Sequence, residues 1–253
     1  MIERGGIWRK VRTTLFAAPL LFALTTACQA ADIAGVELTL PAKERAVQVI
    51  YFRAPGDAAR PAALILHGAG GLKRGSGRYE QYASAIANEG IDAYVVRYYS
   101  EADEAYNVFE ACYEDWAHLV DDVADHVLTL PKSNGKVGLI GFSNGGILAT
   151  GAGSLDPKIA AAVIYYGTEP WPLQERATWF PPLLILHGDA DVIIPVEEGE
   201  RLEKAARRLG GEAELVIYPG AKHGFGMTMS DPASADSYKR TVAFLKKHMT
   251  PGN

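Results

Sequence analysis

The sequence predicts an α/β protein: a mostly parallel β-sheet with helices packed on both faces. Three observations carry this. Short, nearly continuous apolar runs recur along the chain, the pattern of strands buried on both faces. Segments with apolar residues at helical spacing separate them, and strand–helix alternation favours parallel pairing through crossover helices. Gly, Pro, Asn and Asp mark the boundaries. The chain has 253 residues, 48% hydrophobic and 22% charged, a balance that suits one large α/β domain.

Residues 1–30 read as a secretory signal rather than as part of the fold. Arg4, Arg9, Lys10 and Arg12 form a positive start, 15–27 is apolar, and Cys28-Gln29-Ala30 offers small residues at a cleavage site. The apolar run is shorter than the ~20 residues a membrane-spanning helix needs. Cleavage after Ala30 would leave 31–253 as a single domain in the periplasm or outside the cell, with Cys112 as its one cysteine. A retained anchor and a lipidated Cys28 are the alternatives; once the signal is removed, no membrane partner is expected unless Cys28 is lipidated. Leu24 sits one place too far from Cys28 for a good lipoprotein signal.

Two β-leaning segments follow, 36–40 and 46–53, able to form an antiparallel edge. Strand 62–66 ends in the glycine loop His67-Gly68-Ala69-Gly70-Gly71. Helix 79–88 closes at Gly90, and 91–96 is the next strand. The aromatic stretch 98–113 has no clear period. Helix 116–130 stops before Pro131, with Asn134-Gly135 beyond. Strand 137–140, helix 144–152 and strands 159–165 and 183–186 come next. Helix 195–209 ends at Gly210-Gly211. Strand 213–218 and helix 238–248 complete the pattern.

Composition narrows function. Lys plus Arg is 25 against 30 Asp plus Glu, a formal net charge of −5, with no long basic run. That argues against a nucleic-acid partner. Two cysteines exclude a disulfide-stapled scaffold and a Cys-built zinc site.

In an open parallel sheet, functional groups collect at the carboxyl ends of the strands. Gly141-Phe142-Ser143-Asn144-Gly145-Gly146 joins a strand to an apolar helix. A serine there sits on a sharp turn, and the flanking glycines remove side chains that would collide. Asp189 and Asp191 follow strand 183–186. Asp191 is the better partner for a histidine, because Asp189 directly follows Gly188 and can serve the turn; both as turn residues is the bland alternative. His223 follows strand 213–218 among glycines. His118, His126 and His248 fall on helices, while His67 and His187 read as structural groups that hydrogen-bond neighbouring loops. The order Ser143, Asp191, His223 is that of an α/β-hydrolase. An oxyanion hole would use the N–H of Asn144 and that of Ala69, with Gly70 as the alternative. The glycine loop lacks the Lys-Ser/Thr of a phosphate-binding loop.

These loops resemble those of the dienelactone hydrolase family of α/β-hydrolases, and the resemblance covers most of residues 40–248. Its most specific stretch is 133–146, SNGKVGLIGFSNGG. Segments 162–167 and 187–195, and the His-Gly-Phe at His223, follow the same pattern. The resemblance implies an eight-stranded sheet, a nucleophile–His–Asp triad mapping onto Ser143, His223 and Asp191, and no cofactor. Two features depart from it. The namesake enzymes use a cysteine where this chain has Ser143, and a serine needs His223 as general base throughout. They also hold a substrate carboxylate with two arginines, and the matching places fall near Glu101 and at Met227.

The expected activity is therefore hydrolysis of a neutral carboxylic ester or lactone of small size by a serine triad and an acyl-enzyme. A peptidase of the same fold and a non-catalytic binding protein are the alternatives. Segments 98–113 and 168–180 could form a small cap. Tyr98, Tyr99, Trp171, Trp179 and Phe180 either line an aromatic pocket or pack under loops.

Overall fold

In the computed structural model the described residues are 32–43, 45–75, 77–99, 109–169 and 177–250. The signal sequence with Cys28 and Ala30, Glu101, Trp171 and most of both cap segments lie outside them. Eight strands and six helices are described: β1 (Val36–Leu40), β2 (Val47–Phe52), β3 (Arg60–Leu66), α1 (Gly71–Gly75), α2 (Arg78–Asn88), β4 (Asp92–Val96), α3 (Phe109–Leu128), β5 (Ser133–Phe142), α4 (Asn144–Leu155), β6 (Ile159–Tyr165), β7 (Leu183–Gly188), α5 (Val196–Arg208), β8 (Ala213–Tyr218) and α6 (Pro232–Met249).

The strands form one sheet in the order β1-β2-β4-β3-β5-β6-β7-β8. β1 and β2 add the antiparallel edge, and every pair from β4 to β8 is parallel. From β3 the chain steps out to β4, then crosses back over β3 to β5. The direction of winding thus reverses between β3 and β5, the point at which open α/β sheets place their ligands.

Residue alternation along the strands divides the core into two layers. Leu64 and Leu66 of β3, Leu139 of β5 and Ile164 of β6 face α3, α4 and α5, meeting Trp116, Val120, Leu148 and Leu202. Ala63, Ile65, Ile140 and Val163 point the other way, onto Tyr82, Ile86, Phe244 and Leu245 of α2 and α6. Each fully buried aliphatic side chain contributes about 1.5–3 kcal/mol, so β3, buried at all seven positions, is held from both faces.

Several boundaries differ from the sequence expectation. β5 begins at Ser133 instead of 137, because Asn134-Gly135 lies inside the strand: Gly135 takes φ 79° and Ser133 pairs with Arg60 across a register shift. α6 begins six residues earlier than expected. Asp231 accepts a hydrogen bond from the Ser234 N–H and Pro232 opens the first turn, a strong cap ahead of a turn without apolar period. α3 begins at Phe109, within the stretch that showed no period. The short α1 follows the glycine loop directly. No described helix is long and apolar enough to cross a membrane.

Candidate active site

Ser143 occupies the turn between β5 and α4 with φ 56° and ψ −120°. A non-glycine residue there costs about 1–3 kcal/mol and persists only where its surroundings over-determine it. They do so here. The Ser143 N–H donates to the Tyr165 carbonyl at 3.0 Å, and the Ser143 carbonyl accepts from the Gly146 N–H at 2.7 Å and the Ile147 N–H at 3.0 Å. A Cβ at Gly141 would lie 2.0 Å from the Gly145 oxygen, and one at Gly145 would lie 2.2 Å from the Leu66 oxygen. Both glycines are thus required by backbone contact, which lets α4 start against the end of β3.

The structure brings Ser143, His223 and Asp191 together from the ends of β5, β8 and β7. His223 Nε2 lies 3.0 Å from Ser143 Oγ, and His223 Nδ1 lies 2.7 Å from Asp191 Oδ2. The other oxygen, Asp191 Oδ1, accepts from the N–H groups of Ile193 at 2.9 Å and Ile194 at 3.0 Å. The Asp191 side chain is only 1% exposed, so its charge is held by these partners rather than by water. Asp189 does something different: its Oδ1 accepts from the Gly220 N–H at 2.6 Å. It pins the loop that carries His223, while Asp191 meets the imidazole.

The glycine loop passes directly over the serine. A Cβ at Gly68 would lie 3.4 Å from Ser143 Cβ. The Gly68 N–H donates to the Tyr79 hydroxyl at 2.8 Å, and the Tyr98 hydroxyl donates to the His67 carbonyl at 2.5 Å. His67 is buried, with Nδ1 2.9 Å from the Gly68 carbonyl and its ring stacked on Tyr98 at 4.0 Å. Among the described residues the Ala69 N–H meets no backbone acceptor. Asn144 opens α4, and the first N–H groups of a helix have no acceptor within it.

Three groups at the site escaped the sequence reading. Tyr79 braces the glycine loop from α2, at a distance no local motif encodes. Tyr166, next to Gly167, also takes a positive φ of 39° and packs its ring 4.7 Å from that of His223. Its hydroxyl is buried without a partner among the described residues, and burial holds it well above the ordinary tyrosine range. Ser234 Oγ accepts from the Gly226 N–H at 2.9 Å, tying the His223 loop to α6. Tyr98, Tyr99 and Phe180 are core residues, so for these three the pocket-or-packing alternative falls to packing, while Trp179 is half-buried and Trp171 lies outside the described residues. Met227 lines a cavity against Gln81 and Tyr82 of α2. The carboxylates of Asp121, Asp122 and Asp125 converge on α3. However, Lys158 Nζ lies 2.7 Å from Asp121 and 2.8 Å from Asp125, so an ammonium already occupies the place a cation would take.

Comparison with known proteins agrees with this architecture. A Yersinia pestis protein named "Putative carboxymethylenebutenolidase" is 27% identical over 167 residues, 59% of this chain and 62% of the relative. The chain spans about half the length of the matching Escherichia coli and Salmonella proteins of the same name. Among solved structures, a "Putative Dienelactone Hydrolase" from Klebsiella pneumoniae superposes with a TM-score of 0.73 at 20% identity, covering 85% of this chain and 99% of that one. An acylaminoacyl peptidase of Pyrococcus horikoshii gives 0.72 at 17% identity, covering 89% of this chain and 43% of that one. These likenesses are of fold, and the fold is that of the α/β-hydrolases. The sequence profile of the dienelactone hydrolase family matches residues 49–249. The chain belongs to the dienelactone hydrolase family.

Proposed function

We propose that the protein is a serine hydrolase that cleaves carboxylic ester or lactone bonds of small, neutral substrates through an acyl-enzyme. The observation that carries this reading is the hydrogen-bonded line from Ser143 Oγ through His223 to Asp191, at 3.0 and 2.7 Å. With Nδ1–H donated to Asp191, His223 Nε2 holds a lone pair toward the serine hydroxyl. Ser143 Oγ attacks the carbonyl carbon as Nε2 takes its proton. Asp191 fixes the tautomer and stabilises the imidazolium. The N–H groups of Ala69 and Asn144 stabilise the oxyanion, at a few kcal/mol each. Collapse of the tetrahedral intermediate breaks the carbonyl carbon–oxygen bond, and the imidazolium protonates the departing alkoxide. Water then attacks the acyl group with His223 again as base, releasing the acid and restoring Ser143.

An ester substrate fits better than a dienelactone. Where the resemblance puts the two carboxylate-holding arginines, this sequence has Met227 and, near the other place, Glu101, and neither residue type can bind a carboxylate. The likeness to an acylaminoacyl peptidase keeps a peptidase as the second reading. A matched panel of p-nitrophenyl esters, small lactones and acyl-peptide anilides tests the choice. We expect ester hydrolysis with a burst of alcohol equal to the enzyme concentration when deacylation is slower. Turnover of anilides alone would favour the peptidase. We also propose that residues 1–30 are an export signal cut after Ala30, which the intact mass of protein purified from the periplasm tests.

A further inference from the structure

A second imidazole lies behind the acid loop, and the proposed reaction does not consume it. His187 sits near the end of β7 and is fully buried. Its Nε2 lies 2.9 Å from the Ile194 carbonyl and 3.8 Å from Asp191 Oδ2. Two acceptors around one ring nitrogen require the proton to be there. Nδ1 is then a bare acceptor, and among the described residues it has no partner. It faces α5 at Gly199, where a Cβ would come within 2.8 Å of it. An unsatisfied buried polar atom is destabilising, a cost that leucine at this position would not carry. What the imidazole supplies in return is the Nε2–H.

The segment that receives it has little else to hold it. Val192 is 92% exposed and Ile193 67% exposed, so the tip of the 191–194 turn is not anchored by packing of those side chains. Its order rests on backbone groups. The Ile193 and Ile194 N–H groups bind Asp191 Oδ1, and the Ile194 carbonyl binds His187. The line therefore runs from His187 through Ile194 to Asp191 and on to His223 and Ser143.

We propose that His187 is a positioning residue: its Nε2–H fixes the 191–194 turn and thereby aims the Asp191 carboxylate at His223. This rests on the hydrolase reading above. The charged or titratable groups facing the ring are Asp191 on its own loop, His223 from the loop after β8 and Glu197 from α5; burial outweighs them and favours the neutral ring. A neutral ring with its one proton on Nε2 is the form this role needs.

The test compares wild type, His187→Gln and His187→Leu, each checked for folding by thermal unfolding, with p-nitrophenyl acetate as substrate and a fluorophosphonate as probe of Ser143. Glutamine can place an amide N–H near the Ile194 carbonyl; leucine cannot. Misplacement of a catalytic group by about 1 Å can cost on the order of 100-fold. We therefore expect kcat of His187→Leu to fall about 10–100-fold with KM nearly unchanged and labelling slowed in parallel. His187→Gln should recover most of that loss. Gly199→Ala, which displaces the ring without removing it, should lower kcat in the same way and carries the test if the leucine variant does not fold. Wild-type kcat in folded His187→Leu, or equal losses in the glutamine and leucine variants, overturns the role. Wild type that neither labels nor turns over overturns the hydrolase reading, and this role with it.

Discussion

Asp189 and Asp191 lie two residues apart and have different work, which gives a sharp contrast to measure. Asp191→Asn removes the acceptor that selects the His223 tautomer, and the loss in kcat should be about 10⁴-fold, as for other triads of this type. Asp189→Asn keeps an oxygen for the Gly220 N–H, so its loss should stay within about tenfold, the scale of one weakened hydrogen bond. Steady-state kinetics of the two variants checks this, and equal losses would contradict the assignment. Tyr166 offers a second test. Its hydroxyl is buried without a partner among the described residues, so Tyr166→Phe should raise stability by about 1 kcal/mol in denaturant unfolding.

The turns are what place these groups. Ser143 holds a strained backbone because Gly141 and Gly145 let α4 close on β3, and Gly145→Ala should cost about 3 kcal/mol or prevent folding, since the added carbon meets backbone that cannot move aside. Chemical denaturation, or the soluble yield, reads it. Asp231→Ala should cost about 1 kcal/mol through loss of the α6 cap. It should also loosen the His223 loop, because Ser234 lies between them. Much of this scale was legible beforehand. The strand–Gly-x-Ser-x-Gly–helix turn, the loop order and the antiparallel edge each follow from local chemistry that a sequence displays. The start of β5 was not, since Asn134-Gly135 signals a turn and only pairing with Arg60 makes it strand. Neither was the brace from Tyr79 nor the wedge of Tyr166 against His223. Both depend on contacts between elements, and a tyrosine in an apolar run looks the same whether it fills a core or shapes a site.

At the scale of the whole molecule, the sheet's winding reversal between β3 and β5 sets where chemistry can occur. It sets the carboxyl ends of β3 and β5 side by side and brings the glycine loop over Ser143. Two histidines, the buried His187 and the half-buried His248, give the fold a pH dependence with a definite sign. Burial lowers His187 and His248 below the ordinary value of 6.5. Between that value and their lower folded-state values the unfolded chain binds more protons, so stability rises with pH. The unfolding midpoint should therefore fall as pH drops from about 6.5 to 5, and His187→Gln should flatten the slope. An unchanged slope would show that His187 keeps its proton on folding.

The central claim is that Ser143 is an activated nucleophile, and the most direct measurement is mass spectrometry of the protein after exposure to a fluorophosphonate, with peptide mapping and Ser143→Ala as control. The account predicts one adduct, on Ser143, absent from the variant. A folded wild-type protein that takes up no adduct, or one that carries it elsewhere, would contradict it.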